Sequence, residues 1–149
     1  MSAYRTIVVG TDGSETSLSA VERASAVAAD SSAELIIVCA YTPATRDDTA
    51  AAEDALKDEA YLVVGWTPAE ETLRTAEERA SAAGAKKVRT VAVDGAPADV
   101  LRQAVIDNKA DLLVVGNKGL NTLSGRLLGS VPSDVARRSG VDVLIVHTT

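Results

Sequence analysis

The 149-residue sequence has no phenylalanine, one tryptophan, one histidine and one cysteine. Because Cys39 has no second cysteine to pair with, no disulfide can form within the chain. The shortage of aromatic residues argues against a β-sandwich, and the abundance of alanine, valine and leucine favours helices packed on a sheet. No apolar run reaches membrane-spanning length and no signal-type segment precedes the first strand-like run, so we expect a cytoplasmic protein.

Positive charge is also in short supply, with 15 Lys and Arg against 21 Asp and Glu and a net charge of −6. An acidic surface works against the electrostatic attraction that drives non-specific binding to nucleic acid. We therefore expect neither nucleic acid nor a membrane as a partner. A chain of 149 residues is long enough for one core, so residues 1–149 are predicted to form a single domain.

Several catalytic motifs are missing as well. There is no GxxxxGK[ST] loop and no GxGxxG after the first strand, so neither a Walker-type nor a dinucleotide site is available. His147 is interpreted as a strand residue near the terminus, and no Cys/His cluster has metal-ligand spacing. The carboxylate pairs Glu70–Glu71 and Glu77–Glu78 fall on the polar face of a helix, where solvated side chains are expected. We predict no catalytic residue and no metal site.

The sequence does contain five short runs rich in valine, isoleucine and leucine, at residues 5–11, 34–41, 87–93, 111–116 and 141–147. Most of them lack polar alternation, which is typical of parallel strands buried on both faces. The third run alternates more and includes Arg89, so we place it at or near a sheet edge.

Helix signals separate these runs. Thr67 is predicted as an N-cap, with Pro68 at the first helical position, Glu70 closing a capping box and Gly84 ending the helix. The other predicted helices cover residues 14–30, 96–110 and 130–140. Strands that alternate with helices indicate right-handed βαβ units, and hence an open α/β sheet with helices on both faces.

Residues 42–66 interrupt this alternation with a charged, alanine-rich stretch that is too long for an ordinary connection. A loop of that length in a compact domain is usually either functional or disordered. We predict a mobile flap, with a disordered insertion of no consequence as the alternative.

Glycines and polar residues follow the first and fourth runs, at "GTDGS" (10–14) and "GNKGLNTLSGRLLGS" (116–130). In a sheet of order 3-2-1-4-5 these strands are neighbours, and ligands bind at the carboxyl ends where the strand order reverses. Gly10 and Gly13 would permit close backbone approach, and Asp12 offers a carboxylate for hydroxyl groups or a divalent cation.

The second glycine-rich segment has the chemistry of a phosphate cradle. Gly116 and Gly119 would expose backbone N–H groups, and Gly129 with Ser130 would stand at a helix N-terminus that favours an anion. Lys118 and Arg126 add positive charge. The alternative is an ordinary tight turn followed by an ordinary N-cap.

The spacing of these residues resembles a known signature. Gly116-x-x-Gly119, nine residues, then Gly129-Ser130 matches G-x2-G-x9-G-[ST], the nucleotide-binding pattern of the universal stress protein family. "IVVGTDGSETS" is similar to the family's first strand and loop, and "LLGSVPSDVARRSGVDVLIV" to its last helix and strand. The resemblance covers essentially the whole chain except residues 42–66.

The resemblance implies a Rossmann-like sheet of five parallel strands, usually dimeric, with an adenine nucleotide in the crevice. Thr11 and Asp12 then correspond to ribose contacts, Gly10 shapes the adjacent backbone, and the backbone of Ala40 reads the adenine edge. The implied ribose and phosphate turn is Val115, Gly116, Lys118 and Gly119, and the implied phosphate end is Gly129, Ser130, Val131 and Pro132. Lys118 departs from the Arg or His common in the family.

Three functions remain open at this stage. The first is a cytoplasmic binding module for cyclic AMP or ATP that changes its surface or assembly during stress, by analogy with small members of the family that look like cyclic-AMP binders. The second is a slow ATPase using Asp12 with Mg²⁺, and the third is a dimeric scaffold with a vestigial site. We further expect a homodimer built along residues 141–147, because a final edge strand of that apolarity invites pairing.

Overall fold

The computed structural model describes residues 2–42, 65–117, 137 and 139–148. Their strands form one parallel sheet: β1 Thr6–Gly10, β2 Glu34–Tyr41, β3 Lys87–Asp94, β4 Leu112–Gly116 and β5 Asp142–Val146. The strand order is β3-β2-β1-β4-β5, so the predicted parallel α/β sheet and its order are confirmed. β3 lies at an edge, as Arg89 indicated, and β5 lies at the opposite edge.

Three helices cover the sheet within the described residues: α1 Glu15–Ser31, α2 Trp66–Ala82 and α3 Pro97–Asp107. Core residues of α1 and α2 pack on one face of the sheet, and those of α3 pack on the other. No helix in this part of the chain is both long enough and apolar enough to cross a membrane. Of the helix predicted at 130–140, only Arg137 is described as helical, and the rest lies outside the described residues.

The core explains why the strand sequences are continuous apolar runs rather than alternating ones. Along β1, Ile7 and Val9 contact the side of α1 and α2, whereas Val8 contacts the side of α3, and all three are fully buried. A strand that is buried on both faces has no position for a polar side chain. The sheet face toward α1 and α2 is filled largely by alanines, such as Ala24 and Ala76, which lets the helices lie close to the strands.

α1 begins where the sequence predicted. Ser14 is its N-cap, and the Ser14 side chain accepts a hydrogen bond from the Ser17 amide at 3.2 Å. The guanidinium of Arg79 on α2 contacts Glu15 and Glu22 of α1 at 3.1 and 3.3 Å. These ion pairs are exposed and add little stability, but they fix α2 beside the first turns of α1.

The start of α2 differs from the prediction. Gly65, not Thr67, occupies the N-cap, and no side-chain cap is formed, so the expected capping box of Thr67 and Glu70 is wrong. The reason is a tertiary contact: the Gly65 amide donates to the Thr42 carbonyl at 2.7 Å, and Gly65 has a φ of 96°, which only glycine adopts readily. Pro68 is therefore the third helical residue, where its missing N–H costs nothing. Gly84 follows the helix end with a φ of +107°, as predicted.

The insertion predicted at 42–66 is described only at its two ends. Thr42 follows β2 directly and Gly65 precedes α2, and the two are joined by the backbone hydrogen bond given above. Residues 43–64 lie outside the described part of the chain, so the flap at this position stays a prediction.

Candidate functional site

The carboxyl ends of β1 and β4 lie side by side. Ile7 is paired with Leu112 and Val9 with Val114, so the loop after β1 leaves the sheet next to Gly116. A Cβ atom built on Gly116 would lie 3.8 Å from the Thr16 carbonyl oxygen in the first turn of α1. The two segments that the sequence singled out therefore meet at the point where the strand order reverses.

The loop of residues 10–14, which we call the β1 loop, is held by its own side chains. Thr11 is buried, and its hydroxyl lies 2.8 Å from the Ser17 hydroxyl while accepting a hydrogen bond from the Gly13 amide at 3.1 Å. The Ser17 hydroxyl also accepts from the Asp12 amide at 3.3 Å. The amides of Asp12 and Gly13 thus have partners in Ser17 and Thr11, and the Thr11 side chain shapes the loop. The ribose contact that the resemblance implies for Thr11 stays a prediction.

Asp12 is the group of the β1 loop that remains available. One carboxylate oxygen, Oδ1, accepts a hydrogen bond from the Ser14 amide at 2.9 Å, which orients the side chain. No donor among the described residues reaches the other oxygen, Oδ2, and the side chain is half-buried. An oriented carboxylate with one open oxygen is suited to accept hydrogen bonds from hydroxyl groups such as those of a ribose.

The two glycines of the β1 loop, Gly10 and Gly13, lack a side chain for different structural reasons. A Cβ atom on Gly10 would lie 2.9 Å from Cδ2 of Leu101, so the space beside Gly10 is filled by α3 and not open to a ligand. Gly13 has a φ of +87°, and a Cβ atom there would lie 3.1 Å from the Thr72 hydroxyl of α2. Gly10 therefore permits close packing of α3 on β1, and the backbone shaping that the resemblance implies for Gly10 stays a prediction.

The side chains of Ala40 and Val115 both pack on the face of the sheet that α3 covers. The Val38 carbonyl accepts from the Thr11 amide at 3.0 Å, and backbone groups two residues apart on a strand point the same way, so those of Ala40 point beyond the last residue of β1. This direction fits the predicted role of Ala40. Val115 is 4% exposed and its side chain belongs to the core beside α3, so no side-chain contact with a ligand is possible there.

Cys39 is buried in the core at the end of β2. Burial of the thiol, assisted by the nearby negative charge of Asp12, raises its pKa from an ordinary value near 9 to about 12. A thiol with so high a pKa is protonated at neutral pH and is a poor nucleophile. Cys39 thus contributes packing next to the site and not reactivity.

The remaining predicted site residues lie outside the described part of the chain: Lys118, Gly119, Arg126, Gly129, Ser130, Val131 and Pro132. Their roles stay predictions. His147 is described, and it lies exposed just after β5.

A groove of about 390 Å³ lies elsewhere, between α2 and β3. It is lined by Glu70, Leu73, Arg74, Glu77, Thr90 and Ala92. The carboxylates on its rim are exposed side chains of a helix, as the sequence predicted, and none of the described residues forms a cluster suited to hold a metal ion. The groove therefore offers less defined chemistry than the ends of β1 and β4.

Sequence reasoning missed three residues that shape the site. Ser17 closes the β1 loop, and its position three residues after the Ser14 N-cap was a readable signal. Thr72 on α2 and Asn117 after β4 gave no such signal, because their contacts with Gly13 and with Thr148 join segments distant in sequence.

Comparison with known proteins agrees with the fold and with the motif. Residues 3–147 match the model of the universal stress protein family. The universal stress protein Rv1636 of Mycobacterium tuberculosis is 57% identical over 149 residues, and the match covers 100% of both chains. A crystal structure of a universal stress protein in complex with cAMP matches with a TM-score of 0.78 at 51% identity, covering 99% of this chain and 100% of the other. The crystal structure of Rv1636 matches with a TM-score of 0.63 at 48% identity, covering 100% and 99%.

Proposed function

The chain belongs to the universal stress protein family, and on that premise we propose that it is an adenine-nucleotide-binding stress protein whose ligand sits at the carboxyl ends of β1 and β4. The observation that carries this proposal is the likeness to a family member crystallised with cAMP, at 51% identity over 99% of this chain. At that identity the local backbone of a ligand site is expected to be shared. The ligand class is therefore argued from a relative, and the residues from this chain.

The described residues of the proposed site are suited to bind the nucleoside part of the ligand. Asp12 presents an open carboxylate oxygen to ribose hydroxyls, and the backbone of Ala40 points into the crevice where an adenine edge would lie. Gly116 leaves room for close approach because it lacks a side chain. The proposal assigns the phosphate to the segment that starts at Gly116 and includes Lys118, Gly119, Gly129, Ser130, Val131 and Pro132.

Binding rather than catalysis is the proposed activity. Asp12 is the carboxylate that a slow ATPase would use to hold Mg²⁺. Its side chain is already oriented by a hydrogen bond that it accepts from the Ser14 amide, and a fixed carboxylate of this kind is suited to accept hydrogen bonds from hydroxyl groups. In the proposed role, the protein responds to ligand by changing its surface or its assembly in the cytoplasm. The proposed assembly is a homodimer through β5, whose central residues are half-buried and lie at a sheet edge.

Charge favours cyclic AMP over ATP as the ligand. A cyclic phosphate carries one negative charge, whereas ATP carries about four and usually brings Mg²⁺. The chain has a net charge of −6, and six of its 21 acidic residues lie in the segment "RDDTAAAEDALKDE" between β2 and α2. We propose that cyclic AMP binds at least as tightly as ATP.

Calorimetric titration of nucleotide-free protein with ATP, ADP, AMP and cyclic AMP tests the proposal directly. Heat with saturable 1:1 binding is expected for cyclic AMP, and Asp12→Ala is expected to weaken binding about tenfold because one or two hydrogen bonds to the ribose are lost. Asp99→Ala, on the exposed first turn of α3, is the matched control and should bind as the wild type does. No heat with any of the four nucleotides would overturn the proposal and leave a scaffold with a vestigial site.

A further inference from the structure

The chain after β5 returns to the end of β4 and is held there by one side chain. The Asn117 amide donates to the Val146 carbonyl at 2.9 Å, which extends the pairing of β4 with β5 by one residue. The Asn117 side-chain oxygen then accepts two hydrogen bonds from Thr148, from its amide at 2.8 Å and from its hydroxyl at 2.9 Å. Asn117 is 6% exposed and Thr148 is half-buried, so the acceptor is shielded from water and the two donors are shielded in part.

The same contacts reach the nucleotide site. Gly116 directly precedes Asn117, and a Cβ atom built on Gly116 would lie 3.6 Å from the Thr148 methyl group. The Thr16 carbonyl oxygen is 3.8 Å from the same position. The first turn of α1 and the residue that Asn117 holds both border the space beside Gly116, so the position of Thr148 affects that space.

A shielded acceptor with two donors is costly to disrupt. When one partner of a buried hydrogen bond is removed, the groups left behind lose their partner without regaining water, and the cost is larger than the net gain of the bond itself. Without the Asn117 side chain, Thr148 would no longer be held at the end of β4. The space next to Gly116, which the Thr148 side chain borders, would then be less well defined.

We propose that Asn117 is a positioning residue for the nucleotide site: by holding Thr148 against the end of β4 it sets the backbone at Gly116 and makes the chain after β5 part of the site. This proposal rests on the proposed function. The proposed role also couples ligand binding to the chain after the edge strand β5. If the ligand binds more tightly when Thr148 is hydrogen-bonded to Asn117, then the bound ligand must stabilise those hydrogen bonds by the same free energy.

Cyclic AMP affinity of matched variants tests the positioning role. Asn117→Ala is expected to weaken binding about tenfold. Thr148→Val removes the hydroxyl but keeps the hydrogen bond from the Thr148 amide, so it should weaken binding by a smaller factor of about threefold. Thr148→Ser keeps both donors but loses the methyl group, so its affinity should lie closer to that of the wild type than the affinity of Thr148→Val does. Asn108→Ala is the control, because Asn108 also makes two side-chain hydrogen bonds, to Arg89 and to the Ala104 carbonyl, but at the far end of α3. It should lower the melting temperature without changing affinity.

Hydrogen exchange of the Thr148 amide, measured by NMR, supplies a readout independent of affinity. We expect cyclic AMP to slow this exchange in the wild type, and Asn117→Ala to accelerate it and remove the effect of the ligand. A folded Asn117→Ala variant that binds cyclic AMP like the wild type, or wild-type exchange that does not respond to ligand, would overturn the proposal. Wild-type protein that binds no adenine nucleotide would instead overturn the proposed function itself.

Discussion

The hydroxyl of Thr72 lies against Gly13, 3.1 Å from the position that a Cβ atom on this glycine would take. Gly13 also has a φ of +87°, a conformation that a side chain makes unfavourable. We therefore predict that Gly13→Ala lowers the free energy of unfolding by more than the ~1–2 kcal/mol expected for the left-handed backbone alone. Chemical denaturation measures this loss.

Two comparisons separate the contact from the backbone conformation. Gly140 has a φ of +73° with nothing within 4 Å of its Cβ position, so Gly140→Ala should show the backbone cost alone. The double variant Gly13→Ala/Thr72→Ala should be less destabilised than the sum of its two single changes, because Thr72→Ala removes the clashing atoms. Additive effects would mean that Thr72 does not constrain Gly13.

Substitutions at Gly116 are predicted to affect nucleotide affinity more than stability, and substitutions at Gly10 are predicted to do the reverse. A Cβ atom on Gly116 meets only ordinary contacts of 3.6 to 3.9 Å, so Gly116→Ala should fold with little loss of stability, and a β-branched residue there should abolish nucleotide binding. Gly10→Ala places its Cβ atom 2.9 Å from Leu101 and should reduce stability more than affinity. Thermal melts together with calorimetry distinguish the two outcomes. A folded Gly116→Val variant with full affinity would remove Gly116 from the site.

Added salt is predicted to narrow the difference in binding affinity between cyclic AMP and ATP. In low salt without Mg²⁺, cyclic AMP should bind at least as tightly as ATP, because repulsion from the acidic protein acts most strongly on the more highly charged ligand. Raising the ionic strength screens that repulsion and should improve ATP binding more than cyclic AMP binding. Titrations at several salt concentrations measure this trend, and ATP that binds tenfold tighter in low salt would show that the charge argument is wrong.

Assembly through β5 is predicted to depend on Ile145. Sedimentation at micromolar concentration should show a dimer for the wild type and a monomer for Ile145→Lys, because a charge at the edge strand opposes pairing. Val93→Lys is a matched control, since Val93 is also half-buried and packs on the same face of the sheet, but belongs to the opposite edge strand. A dimer that persists in Ile145→Lys, or that is lost equally in Val93→Lys, would argue against β5 as the interface.

Cys39 is predicted to make stability fall at alkaline pH. Its folded-state pKa of about 12 lies above the ordinary value near 9, so the folded state holds the thiol proton more tightly than the unfolded state does. The contribution is complete below pH 9 and decreases from there toward pH 12, by at most about 1.4 kcal/mol per pH unit. Between pH 9 and 11, wild-type stability should therefore fall more steeply than that of Cys39→Ala. Equal slopes would mean that the thiol is not shielded.

The sheet was predictable because burial on both faces leaves a signature in each strand separately. The runs at β1, β2 and β4 contain almost no polar residue, and Arg89 in β3 marked the edge. Each of these signals is local, so no knowledge of the packing was needed to interpret it. The start of α1 is likewise a local feature: the helix was predicted over residues 14–30, and its Ser14 cap bonds to Ser17, three residues away.

The predictions that failed or fell short depend on contacts between distant segments. Thr67, Pro68 and Glu70 form a plausible capping pattern, but the hydrogen bond from Gly65 to Thr42 starts the helix earlier. The packing of Leu101 against Gly10 is likewise a contact between distant segments, and it excludes a side chain at Gly10 without testing the role that the resemblance implies there. Neither partner can be identified from the residues next to it.

The hydrogen bond between Thr42 and Gly65 also bears on what can be built into this protein. Thr42 and Gly65, which flank the intervening 22 residues 43–64, are hydrogen-bonded to each other. The number of residues between them can therefore change without changing the spacing of β2 and α2. Closing a longer loop between the same two ends costs only ~0.6 kcal/mol for each doubling of its length. A circularly permuted fluorescent protein spliced between Thr42 and Gly65 would thus be tolerated by the sheet, two residues after Ala40 on β2 and next to the end of β1, which Asp12 follows. Such a fusion would report optically on the adenine nucleotide that we propose as the ligand.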